Sequence, residues 1–478
     1  IAAARRLARH LARVRTGDDE PGPEAVRHAL RDVVGRCIYG VDINEMAVEL
    51  CKVALWMETL DPGKPLSFLD ANIQCGNSLI GTTPALLARG IPDEAFTPIT
   101  GDDKTYCTEW KKRNKKEREG QKSLFTGDMQ PWQQLGNLAA AMRRLGGGDD
   151  GTLAGVQSQE AEYARLVQSR DYEHGKLWAD AWVAAFLWEK KPEHLGGWAQ
   201  PLTHEIFRRL GQNPYSEKGY WAEIRRLADE YQFFHWHLAF PQVFAPGEQL
   251  PGTSKVPGSL GSLGWTGGFD VVLGNPPWER IKLQEKEWFA SRDEAIATVP
   301  NAAARRKLIA QLPKTNPALH EAFAADKRKA EGESLFVRNS GKYPLCGRGD
   351  VNTYTIFAEL ARHVQSDTGR VGVIVPSGIA TDDTTKYYFQ DIMDSGALAS
   401  LYDFENRSAI FPGVHRSYKF SLLTLTGAAR PATEGAQFVF FALDVADLRE
   451  EARRFTLSAA DIALLNPNTR TCPIFRGK

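Results

Sequence analysis

The chain has 478 residues, 42% of them apolar, and 59 basic side chains against 59 acidic ones. That length supports two or three packed cores, since single cores stop growing near about 250–300 residues, and the composition excludes a disordered chain. A formal net charge of zero excludes capture of a polyanion by the whole-molecule field, so any nucleic-acid contact has to come from a local patch.

The six cysteines, at positions 37, 51, 75, 107, 346 and 472, stand singly, with no Cys-x-x-Cys pair and no His-Cys spacing of a zinc site. A reducing, cytoplasmic interior is the simplest home for them. The longest apolar stretch, around Trp178 to Trp188, is far shorter than a membrane helix, and no charged-then-apolar leader opens the chain; neither secretion nor membrane insertion is expected. Ile1 to Leu11 is in helical register from its first residue with no capping side chain before it, so further residues upstream are expected.

In chain order, the apolar run Cys37-Ile38-Tyr39-Gly40-Val41 ends at Asp42, and Asn44 opens an amphipathic helix with Ala47, Leu50, Cys51, Ala54 and Met57 on one face. A second strand, Ile73 to Cys75, closes on Gly76-Asn77, and a third, Phe269 to Gly274, closes on Asn275-Pro276-Pro277-Trp278. Further strand-like runs lie at Arg370 to Val375, Ala399 to Phe404 and Lys419 to Thr426, with a helix over Asn352 to Val364. The alternation predicts an α/β fold with a mainly parallel sheet.

Between Gly81 and Gly268 the alternation stops. This span reads as a mostly helical insertion, with Leu177 to Trp188 apolar nearly all round, a long helix from Tyr220 to about Phe234, and a loop at Ala245 to Gly268 where ten of 24 residues are Pro or Gly. From Lys104 to Lys122 eight basic residues face three acidic ones, which reads either as a solvated helix face or as a phosphate contact. In Phe234-His235-Trp236-His237 two histidines share one face if the segment is a strand, but no third ligand is near in sequence, and no metal is expected.

Asn275-Pro276-Pro277-Trp278 is the strongest chemical signal, a tetrapeptide expected by chance on the order of once per thousand chains of this length. A bland reading is a strand followed by a rigid turn. The chemical reading starts from an exocyclic amine of a nucleobase, whose delocalised lone pair is a weak nucleophile. The side-chain oxygen of Asn275 and the carbonyl of Pro276 offer two acceptors for its two N–H bonds. The prolines lack N–H groups that would occupy those acceptors. Trp278 offers a face for stacking, worth roughly 1–3 kcal/mol per base. A base reaches such a loop only when unpaired or flipped from the duplex.

With Gly274 to Arg280, Gly40 to Asn44, Gly76 to Leu79, Phe240 to Phe244, Val375 to Gly378 and Ile410 to Gly413 in this order, the chain resembles the amino-directed DNA methyltransferases that use S-adenosylmethionine. The resemblance is to large adenine-specific enzymes of type II restriction-modification systems and to the methyltransferases of the DISARM and BREX phage-defence systems. It implies a Rossmann-like methyltransferase fold, with residues 1–81 and 269–430 as the two parts of the methyltransferase domain and 82–268 as the insertion. Residues 431–478 would be a C-terminal extension in which Leu464 to Thr469 resembles the approach to a target-recognition domain.

The resemblance gives catalytic roles to Asn275, Pro276, Pro277 and Trp278, and implies that Asp42, with Ile43 beside it, holds the ribose hydroxyls of S-adenosylmethionine. Asn77 would contact the amine of the cofactor's adenine, and Phe411, with Trp278, would pack against the flipped base. Each has a plainer reading: Asp42 as a helix cap, Asn77 as a turn residue, Phe411 as core. The implied partner is double-stranded DNA, with subunits of a defence system beside it, and the implied location is cytoplasmic. The family's glycine-rich cofactor loop does not stand before Asp42, so the first strand and that loop are expected upstream of Ile1. Cytosine N4, an RNA or protein amine, and a non-catalytic DNA-binding or assembly module are the rival readings.

Overall fold

The computed structural model describes residues 1–120, 135–192, 200–246 and 263–475. Helices α1 (Ala2–Thr16) and α2 (Pro23–Cys37) pair through small side chains, Ala4, Ala8 and Ala12 of α1 being buried. Strand β1 (Gly40–Asp42) follows, then α3 (Glu45–Glu58), then β2 (Ile73–Cys75), which lies parallel to β1. The expected strand from Cys37 is shorter than the apolar run, because Cys37 closes α2.

A second two-stranded ribbon, antiparallel, joins β3 (Phe244–Pro246) to β4 (Trp265–Gly267). The main sheet is built from β5 (Phe269–Gly274), β6 (Gln365–Pro376), β7 (Leu398–Glu405), β8 (Lys419–Thr426), β9 (Ala436–Ala442) and β10 (Phe455–Leu457), in the spatial order β10-β9-β7-β8-β6-β5. The expectation of a mainly parallel sheet is corrected: β5·β6 and β7·β9 are parallel, but β6·β8, β7·β8 and β9·β10 are antiparallel. The cause is connection length. The chain between β7 and β8 holds only a short 3₁₀ turn at Asn406–Ser408, too little for a crossover, so β8 returns antiparallel and inserts between β7 and β6. Residues past 430 contribute β9 and β10 to the far edge of this sheet.

Val371, Val373, Val375, Leu401, Leu423 and Leu425 alternate inward from β6, β7 and β8. Their core is continuous with helix Arg170–Leu187, whose residues Leu177 to Leu187 are all buried, as an all-round apolar stretch requires. Its two indoles are satisfied: Trp178 Nε1 donates to the Phe207 carbonyl at 3.0 Å and Trp182 Nε1 to that of Gly90 at 2.9 Å.

Three expectations need revision or completion. In α3 the buried side chains are Val48, Lys52 and Leu55, while Leu50 is 61% and Met57 67% exposed; the apolar residues spread round the helix, and packing against α1 and α2 selects the narrower stripe. Phe234 to His237 is not a strand, since Trp236–Ala239 is a helical turn. His235 is instead a core histidine: its Nδ1 accepts from Thr82 N–H at 3.1 Å and its Nε2 faces Asp180 at 2.9 Å, with Lys176 on the other carboxylate oxygen. The basic run forms helix Lys104–Gly120, with Arg113 paired to Glu117 and Arg118 to Asp93; Lys122 and most of the Pro/Gly loop, residues 247–262, lie outside the described residues.

Lys342 is buried at 2% exposure, and its Nζ donates to the Leu79 carbonyl at 3.1 Å. Burial pushes its pKa down from 10.5 to about 7. The unfolded chain therefore binds more protons between about pH 7 and 10.5, so this lysine's destabilising effect is full below pH 7 and fades as pH rises through that window. Lys342→Met is expected to raise stability at pH 7 by roughly 2 kcal/mol, the lost hydrogen bond offsetting part of the gain, and to show little gain at pH 10. Denaturant unfolding at the two pH values measures it.

Candidate active site

β5 delivers the Asn275-Pro276-Pro277-Trp278 loop at its C-terminal end, and β1 delivers Asp42 at its own. Each strand has one edge paired, β5 to β6 and β1 to β2, and no strand partner on the other edge among the described residues. Between them opens a cavity of about 1770 Å³ lined by Asp42, Ile43, Asn77, Asn275, Pro276 and Pro277 together with α1 and the side chains of β5. Six of the eight singled-out residues thus meet in one space. Trp278 and Phe411 are not part of its lining. They sit behind the loop in one apolar cluster with Phe404 and Phe420, whose rings stack at 5.3 Å, and Phe411 meets Phe420 edge-on at 5.1 Å.

The loop's acceptors divide into two groups. Pro277 O accepts from the Thr353 hydroxyl at 2.6 Å, and Glu279 O accepts from Thr353 N–H at 2.8 Å. Asn275 Oδ1 and Pro276 O have no partner among the described residues, and Asn275 is exposed to the cavity. Trp278 is half-buried, its Nε1 covered and without an acceptor among the described residues.

Asp42 is exposed, and its Oδ1 accepts from Asn44 N–H at 2.8 Å. The cap of α3 is Asn44, whose Oδ1 accepts from Met46 and Ala47. Asp42 is therefore not the helix cap, and its second oxygen is uncommitted among the described residues. Asn77 does act as a turn residue, with Oδ1 accepting from Leu79 N–H at 3.2 Å, while its amide nitrogen makes no hydrogen bond among the described residues.

The Gly76 to Gly81 turn is pressed against Phe234. A Cβ on Gly76 would stand 2.7 Å from the Phe234 ring, and one on Gly81 1.8 Å from its carbonyl oxygen, so both positions need glycine for close approach. Lys342 Nζ and Tyr343 OH both donate to Leu79 O in the middle of this turn.

Sequence reasoning missed several groups. Arg6, Arg9 and Arg13 of α1 line the cavity and form a local basic row on a neutral chain. Glu333, on helix Pro317–Asn339, also lines it, and burial pushes its carboxyl up, with Lys329 opposing. Asn406, fully buried, holds the Phe411 turn by accepting from Phe411 N–H at 2.9 Å and donating to the Phe411 and Val414 carbonyls at 3.0 and 2.8 Å. Only the α1 row had a local signal, an i, i+3, i+7 spacing of arginines.

Residues 36–301, more than half of the chain, match the family model described as Eco57I restriction-modification methylase. The chain belongs to that family. The matched span contains Asp42, Asn77 and the Asn275 to Trp278 loop, and ends before Phe411. Among solved structures, the chain is similar to the type I restriction-modification system methyltransferase subunit from Streptococcus thermophilus, at 12% identity, covering 98% of this chain and 92% of that one with a TM-score of 0.26. No curated protein matches the chain. No group of His, Cys, Asp and Glu among the described residues could hold a metal ion, and none of their helices is long and apolar enough to cross a membrane.

Proposed function

We propose that this methylase transfers a methyl group from S-adenosylmethionine to N6 of an adenine flipped out of double-stranded DNA, in cytoplasmic restriction-modification or phage defence with other subunits of such a system. The observation that carries the reading is that Asn275 and Pro276, whose Oδ1 and backbone O have no partner among the described residues, line a cavity that Asp42 and Asn77 also line.

The cofactor fits these residues. Among the described residues Asp42 keeps one free carboxylate oxygen for ribose hydroxyls and Asn77 a free amide nitrogen for the acceptor atoms of its adenine, and Ile43 is an exposed apolar side chain in the same lining. When bound, S-adenosylmethionine supplies an electrophilic methyl on a cationic sulfur. Asn275 and Pro276 accept the two N–H bonds of the base, which draws its nitrogen lone pair out of the ring and fixes its direction. Pro277 and the clamped Glu279 keep the loop rigid. The extra proton on the methylated nitrogen is strongly acidic and passes to water, so no side-chain base is required. For Trp278 and Phe411 to wall the base, their shared apolar cluster, which does not line this cavity, has to turn toward it, and Arg6, Arg9 and Arg13 offer phosphate contacts.

The same reading completes the architecture. Among the described residues β1 and β5 each keep one unpaired edge and both strands line the cavity, which supports a Rossmann-like sheet with one more parallel strand filling part of that space and carrying the cofactor loop. Residues 1–81 and 269–430 then form the methyltransferase domain, 82–268 its helical insertion, and 431–478 a C-terminal extension that adds two strands. Incubation with radiolabelled S-adenosylmethionine and duplex DNA, followed by digestion to nucleosides, tests the function. N6-methyladenine is expected; N4-methylcytosine, label in RNA or protein, or no transfer would each favour a different rival.

A further inference from the structure

The geometry points to Thr353 as a positioning residue that decides which carbonyls of the catalytic loop remain free for the base; this rests on the function proposed above. Thr353 opens helix Thr353–Val364, 76 residues downstream of Pro277. Its hydroxyl has Pro277 O at 2.6 Å, the shorter contact, and Glu279 O at 3.2 Å as acceptors, its hydroxyl oxygen accepts from Glu279 N–H at 3.0 Å, and its own N–H donates to Glu279 O at 2.8 Å. The clamp extends as a short antiparallel ladder, with Arg280 bridged to Asn352 and Ile281 N–H donating to Val351 O at 3.0 Å.

A Pro-Pro pair presents two adjacent carbonyls with no neighbouring prolyl N–H to occupy them. Only one of them can belong to the productive pair with Asn275. Thr353 engages the second carbonyl and fixes the turn after it, while Pro276 O, beside Asn275, has no partner among the described residues. Without the hydroxyl, Pro277 O is an unpartnered rival acceptor, and Glu279 N–H loses its partner, so the loop can rotate by the fraction of an ångström that misaligns an in-line transfer. Thr353 lines the same cavity but acts through the loop.

The test compares Thr353→Val, which keeps the shape and removes the hydroxyl, with Thr353→Ser, which keeps it, measuring kcat, KM for DNA, cofactor Kd and Tm. We expect Thr353→Val to lower kcat about 10- to 100-fold, with KM, cofactor Kd and Tm nearly unchanged, and Thr353→Ser to stay within about threefold of wild type. Wild-type kcat in Thr353→Val, equal losses in both variants, or a loss that follows Tm or cofactor Kd overturns the assignment. Asn275→Ala, run alongside, separates the two claims. If it stays active, the reading of the loop fails; if it is inactive while Thr353→Val is fully active, only the role of Thr353 fails.

Discussion

Asn275→Ala is expected to lower kcat for methyl transfer about 10³-fold, with Kd for cofactor and for DNA within about threefold of wild type. The magnitude is that of removing one preorganised hydrogen-bonding group from a developing charge in a water-poor site. The direction follows from where Asn275 stands: it is exposed to the cavity, bonded to nothing among the described residues, and placed at the end of β5 by pairing with β6. Because it has no structural partner, its removal leaves no buried group unsatisfied, so the variant should melt with the wild type. Asn275→Asp retains acceptor oxygens and should keep more activity than the alanine variant. Steady-state kinetics with labelled cofactor reads both, and an alanine variant with undiminished kcat would remove the amine-holding role.

Asp42→Ala is expected to weaken cofactor binding about 100-fold while changing kcat at saturating cofactor by less than about fivefold. Two hydrogen bonds from hydroxyls to a carboxylate are lost, and bonds to a charged group contribute about 1.5–3 kcal/mol each before compensation by water. Asp42 also accepts from Asn44 N–H, so the substitution loosens the entry to α3. Asn44→Ala removes the cap of α3 and leaves the Asp42 carboxylate in place, so it should cost about 1 kcal/mol of stability with little change in cofactor Kd. Titration calorimetry on the three proteins distinguishes the roles. Equal affinity in wild type and Asp42→Ala would mean that the cavity holds its nucleotide elsewhere.

Most of the strands were legible because their signal is local. The Val, Ile and Leu runs that became β5, β7 and β8 lie within a residue or two of where they were expected, and Asn352 does precede the first turn of the helix it was expected to open. The strand directions were not legible, because they depend on whether a connection has room to cross over. The face of α3 was misread for a similar reason. The predicted stripe of Ala47, Leu50, Cys51, Ala54 and Met57 is as regular as the buried one of Val48, Lys52 and Leu55, and only the neighbouring α1 and α2 decide between them. At the candidate site, six of the residues that the sequence singles out line one cavity. Thr353, Lys342, Tyr343 and Asn406 were not singled out, since each acts on a backbone group through the fold, and a single threonine or asparagine carries no pattern. Phe234 to His237 shows the converse: its alternation imitates a strand, yet Asp180, distant in sequence, makes His235 a core residue.

A structure of the protein with DNA and a non-reactive cofactor analogue would show where the target base sits. An adenine outside the helix is expected, with N6 about 2.7–3.2 Å from both Asn275 Oδ1 and Pro276 O. A target base left in the duplex, or an N6 held by other groups while those two oxygens face only water, would contradict it.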